Sequence, residues 1–82
     1  MSHVPHDLHE EFPQDAEVLH ALKTGNSHFA GLAERYHAIN REIHRIDSGV
    51  DAVSDDHAEQ LKRQRLAMLD EISGMIGKAR AA

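Results

Sequence analysis

The sequence predicts an all-α fold: an antiparallel, coiled-coil-like helical hairpin preceded by one or two short helices. Three observations predict it. Phe29, Leu32, Tyr36, Ile39, Ile43 and Ile46 recur at spacings of 3, 4, 3, 4 and 3, the heptad signature of a helix with one apolar seam. Ala58, Leu61, Arg65, Met68, Ile72 and Met75 repeat that spacing further along the chain. Between the two series stands Ser48-Gly49, a stop signal, followed by a short linker. Folded back at the linker, the series meet rung by rung: Ile46 with Ala58, Ile43 with Leu61, Ile39 with Arg65, Tyr36 with Met68, Leu32 with Ile72 and Phe29 with Met75. No register shift is needed, as an antiparallel pair of helices requires.

The elements follow in chain order. Residues 1–13 form a polar, histidine-rich N-terminal segment, and residues 14–82 the hairpin domain. In the first segment Pro5 can open a helical turn from His6 to Glu11, anchored by Leu8 and Phe12. Pro13 ends that turn, because proline lacks the N–H and restricts the residue before it. Asp15 can cap a short helix over 14–24, with Val18, Leu19 and Leu22 at helical spacing. Thr24-Gly25-Asn26 has two readings: Gly25 closes this helix and Asn26 caps the next, or one helix continues with a kink at Gly25. The two long helices span 27–47 and 55–79. Ser54 is a good N-cap for the second, and Asp55 and Asp56 then stand where the helix dipole favours negative charge. Leu66, Leu69 and Ile76 widen the apolar stripe of this helix to about half its circumference at ~100° per residue. One facing helix cannot cover so wide a stripe. The short helix folds over it, or a second chain does, or both.

A chain of 82 residues is one small domain, with a poor ratio of core to surface. Such folds ordinarily add a disulfide, a metal or a partner chain. There is no cysteine, so disulfides and thiolate zinc sites are excluded. That leaves self-association or a histidine–carboxylate metal site; the surplus apolar face at Leu66, Leu69 and Ile76 favours self-association, as a homodimer forming a four-helix bundle. The net charge of −5 disfavours non-specific binding to nucleic acid. No apolar run approaches the ~20 residues of a membrane span. The N-terminal MSHVPHDLHEEF lacks the basic and apolar regions of a secretory leader. The expectation is a soluble cytoplasmic protein.

Chemistry-bearing residues are few. His37 and His44 flank the seam seven residues apart, about 10.5 Å along the axis at 1.5 Å per residue, too far to share a metal. They are expected to rest apolar ring edges on the core and keep their nitrogens wet. His3, His6 and His9 could hold a metal weakly with Asp7 or Glu10, or be a polar terminus; no metal is predicted. Arg65 either covers the seam with its methylene stem and sends its guanidinium to solvent, or fixes register as a charged rung. Lys62, Arg63 and Arg65, with Arg41 and Arg45 on the facing helix, form a basic patch for nucleic acid or an anionic protein, or a solvated face paired with local acids such as Glu59. Serines 27, 48, 54 and 73 suit caps, a turn and helix surface. No nucleophile–base pair, phosphate-binding glycine loop or metal-hydrolase signature stands out, so neither an enzyme nor a cofactor is expected. The remaining prediction is an interaction or regulatory module. It would use Arg41, Arg45, Lys62, Arg63, Arg65, Leu66, Leu69 and Ile76 toward a second copy or an unidentified protein. The alternative is a nucleic-acid accessory protein using the basic patch.

The strings HDLHEEFP (6–13), HFAGLAERYHAINREIHRIDSGV (28–50) and DDHAEQLKRQRLAMLDEI (55–72) resemble the YdcH family of small bacterial proteins. Phe12, Pro13, Phe29, Leu32, Tyr36, His37, Ile43, Leu61, Arg65, Leu69, Asp70, Glu71 and Ile72 match that family's pattern. Two positions depart from it: Ser27 replaces an acidic cap-like residue, and Ala67 a longer side chain. The resemblance implies a short α-helical hairpin and no activity, since the family is defined as being of unknown function.

Overall fold

The computed structural model describes residues 6–81, and every regular element in it is an α-helix. These are α1 (Leu8–Glu11), α2 (Ala16–Gly25), α3 (Ser27–Asp47) and α4 (Asp55–Ala81). The long helices lie where the heptad series put them, with α4 running slightly past its expected end. They pack as the antiparallel hairpin, and α2 packs against both. The described chain measures 43 × 28 × 19 Å.

Local chemistry sets each boundary. Pro5 lies outside the described residues, and the first turn does not begin at His6. His6 has φ 65°, and Asp7 caps α1 by accepting from the His9 N–H at 3.0 Å. Asp15 stands before α2 but makes no capping bond. Its side chain is nearly buried, with Oδ1 3.6 Å from Nε of Arg80 near the far end of α4. Gly25 remains inside α2, and the break falls on Asn26 alone, whose backbone is extended (φ −140°, ψ 106°). Oδ1 of Asn26 accepts from the Phe29 N–H at 3.0 Å, so one residue ends one helix and caps the next.

Gly49 has φ 83°. The Gly49 N–H donates to Ile46 O at 3.1 Å, and the Val50 N–H to Arg45 O at 2.9 Å. These are the two bonds of a Schellman motif, whose left-handed residue favours glycine. Oγ of Ser54 then accepts from the His57 N–H at 3.1 Å and starts α4.

Two side-chain contacts cross the hairpin near its tip: the His57 ring Nε2 lies 3.5 Å from Glu42 Oε2, and Lys62 pairs with Asp47 at 3.7 Å. They reach past one another in opposite directions along the seam. That arrangement centres the register where the heptads place it.

The main core lies at the open end of the hairpin. Leu8, Leu19, Phe29, Leu32, Ala33, Tyr36, Ile72 and Ile76 form one buried cluster, with Phe12, Val18, Leu22, Met68, Leu69 and Met75 packed around it. Leu8 of α1 is fully buried, so residues 8–12 belong to the folded unit and are not a polar tail. Towards the tip only α3 and α4 remain, and the buried seam narrows to Ile43 and Leu61.

Candidate functional site

The side of α4 that faces α1 carries two open depressions separated by Arg65. The larger, of about 330 Å³, is lined by the buried Tyr36, by Leu66 and Leu69, and by His6, Glu11, Lys62 and Arg65. The smaller, of about 100 Å³, is lined by His6, Asn40, Ile43, His44, Asp47 and Arg65. A third depression, of about 350 Å³, lies elsewhere against Leu22, Asn26, Met75, Lys78 and Ala79.

His6 lines both of the first two depressions and is held from three sides. Its carbonyl accepts from the Tyr36 hydroxyl at 2.5 Å. Its N–H donates to Glu10 Oε2 at 3.1 Å, and its ring Nδ1 lies 2.6 Å from Glu11 Oε1. These contacts offset the cost of a left-handed backbone at a residue with a Cβ. Burial pushes the Tyr36 hydroxyl up to about 12, reinforced by Glu11 and Asp7 and opposed by Arg65. Tyr36 therefore stays protonated and remains a donor.

Arg65 is half-buried, and its guanidinium does more than reach solvent. Nη1 donates to Oδ1 of Asn40 at 3.1 Å, and Asn40 is only 3% exposed. The rung is thus a polar bridge between α3 and α4. Sequence reasoning missed Asn40; an amide beside the only charged rung was the available signal.

The other basic residues disperse. Arg45 bonds Asp51 at 2.9 Å through Nε, and its carbonyl accepts from Val50 and Asp51, so it organises the linker. Lys62 pairs with Asp47, and Arg63 with Glu59 at 3.8 Å. Arg41 is exposed and makes no ion pair among the described residues. The hydrophobic candidates divide as well. Leu66 is 60% exposed, Leu69 is half-buried, and Ile76 is fully enclosed by the chain's own core. Ile76 therefore offers no open surface.

His37 and His44 are half-buried beside the seam. Burial holds the His37 imidazole below its ordinary value; Asp7 opposes this, while Lys23, Arg41 and His9 reinforce it. His3 lies outside the described residues. Among the described residues no group of three or more histidines and carboxylates is placed to hold a metal ion. Nor is any helix there long and apolar enough to cross a membrane.

Residues 29–76 match the family model described as Protein of unknown function (DUF465), the YdcH-type family of small proteins. The chain belongs to the DUF465 family. No curated protein and no solved structure matched it. The DUF465 match runs from Phe29 to Ile76, both fully buried, and so spans the hairpin of α3 and α4. The matched length includes Tyr36, Asn40 and Arg65, while α1 and α2 precede it. The DUF465 description assigns no activity, and functional inference therefore rests on the surface.

Proposed function

We propose that this chain is a small, non-catalytic protein–protein interaction or regulatory module that docks through the α1-facing side of α4. The observation that supports this most directly is Leu66. Among the described residues it is the large apolar side chain within a helix that remains mostly exposed, and it lines an apolar-floored depression with cations beside it. Isolated exposed leucines are common, but one continuous with Leu69 and Tyr36 in a concave surface suits a partner side chain. The reading includes self-association as a homodimer, and a cytoplasmic location in keeping with a cysteine-free chain.

Affinity capture from the native cell, with mass spectrometry, tests the module. One stoichiometric partner, or the chain itself, should be retained by the wild type and lost by Leu66→Asp. Gel shifts with RNA and duplex DNA test the alternative use of Arg41, Arg45, Lys62, Arg63 and Arg65. Binding at physiological salt that disappears when Arg63 and Arg65 become glutamate would replace the proposal with a nucleic-acid accessory role.

A further inference from the structure

The exposed face of α4 around Leu66 has a symmetric charge pattern. Lys62 lies one turn before Leu66 and Asp70 one turn after, each about 40° to one side of it at ~100° per residue. Arg63 and Leu69 are likewise equidistant from Leu66, as are Glu59 and Ser73. All these residues are exposed except the half-buried Leu69. Asp70 makes no ion pair among the described residues, and Lys62 has only the long contact to Asp47 at 3.7 Å.

We propose that two copies of the chain pair through this face, with their α4 helices antiparallel about a two-fold axis at Leu66. This rests on the reading of α4 as a docking surface and names its occupant. In that arrangement Leu66 packs on Leu66 of the second copy, and Lys62 of each meets Asp70 of the other. The stems of Arg63 lie over Leu69 across the interface, and Glu59 faces Ser73. A two-fold axis requires a patch to complement itself, and this spacing does so with both ion pairs satisfied. A parallel pairing in register would instead set Lys62 against Lys62 and Asp70 against Asp70.

Charge also favours this face over the rest of the molecule. Each chain carries −5, so two copies repel in general. Glu59 and Asp70 cancel Lys62 and Arg63, leaving the face formally neutral. Glu11 and Arg65, in the neighbouring depression, add one charge of each sign at its border. Exposed ion pairs contribute little strength, so the charges set register and Leu66 and Leu69 supply the apolar contact.

Charge reversal tests the register. Sedimentation equilibrium at about 100 μM, suited to the weak affinity of a small interface, should find the wild type dimeric. Lys62→Asp places two like-charge pairs across the axis, and so does Asp70→Lys. Each should weaken the dimer about tenfold, because symmetry counts every repulsion twice. An equimolar mixture of the two variants should recover wild-type affinity as a heterodimer, since each bad pair becomes a good one. Far-UV circular dichroism would verify that each variant is folded. Leu66→Cys, as the sole cysteine, should oxidise to a covalent dimer faster than Ala67→Cys. A monomeric wild type would overturn the dimer while leaving a different protein partner open to capture. A dimer indifferent to both reversals, or unrecovered in the mixture, would overturn this pairing and leave self-association through another face.

Discussion

Tyr36 and His37 are neighbours in sequence with opposite relations to the core. Tyr36 is fully buried, yet its hydroxyl has a partner in the His6 carbonyl. Tyr36→Phe should cost about 1 kcal/mol, the net worth of one hydrogen bond. In a domain of this size that is a fall in melting temperature of about 4–8 °C. A thermal melt followed by circular dichroism measures it. His37 is only half-buried, and its imidazole is held below its ordinary value chiefly by that burial. The folded chain binds this proton less readily than the unfolded chain. Its contribution to stability is therefore full above the ordinary value of about 6.5 and is lost as pH falls toward the lower folded value. Melting temperature should drop between about pH 7.5 and 5.5, and His37→Gln should drop less. Identical profiles for the two proteins would place His37 in open solvent.

The helices are bounded by short-range chemistry and aligned by long-range packing. Asn26 and Gly49 do their work within a few residues, through a side-chain cap and a left-handed turn. The alignment of α3 on α4 depends instead on two heptad seams that agree over their whole length. Cysteines at Ile43 and Leu61 should test that alignment in an otherwise cysteine-free chain. Under oxidation they should close a disulfide within one chain, seen as faster migration on a non-reducing gel. The closed loop should add about 3 kcal/mol of stability. Failure to cross-link in a variant of normal helicity would reject the register.

At the scale of the molecule, α1 looks too short to matter: four residues cannot hold a helix together alone. Yet its Leu8 is fully buried in the same cluster as Phe29, Tyr36 and Ile72, and that burial joins the N-terminal segment to the hairpin core. Leu8→Ala should cost about 2–5 kcal/mol, as for a leucine removed from a packed core. That is a large share of the roughly 4–12 kcal/mol expected of a chain this long. Urea titration should show one earlier transition. It should coincide in circular dichroism and in the fluorescence of Tyr36, the chain's single tyrosine. A loss confined to a few tenths of a kcal/mol would mean that α1 detaches without disturbing the core.

The hairpin was legible in the sequence because its determinants are periodic. Spacings of 3 and 4 fix which faces of 27–47 and 55–79 are apolar, and Gly49 with Ser54 marks where the chain reverses. Gly25 shows the limit of local signals. Glycine permits a helix to stop but does not compel it, and the chain breaks one residue later, where the Asn26 side chain caps α3 by accepting from the Phe29 N–H. The candidate surface was legible only as a set of residue types. Five basic residues at one end of the hairpin suggested a patch, but carboxylates and the linker engage three of them and Asn40 a fourth. Leu66, Leu69 and Ile76 appeared as one apolar surplus. The tertiary structure separated them, because α2 folds back onto the hairpin and Ile76 joins the core, while Leu66 remains in solvent. Helical periodicity fixes the face a side chain occupies on its own helix. Whether that face meets another helix or water is decided by contacts between residues distant in sequence, and only the folded chain brings those together.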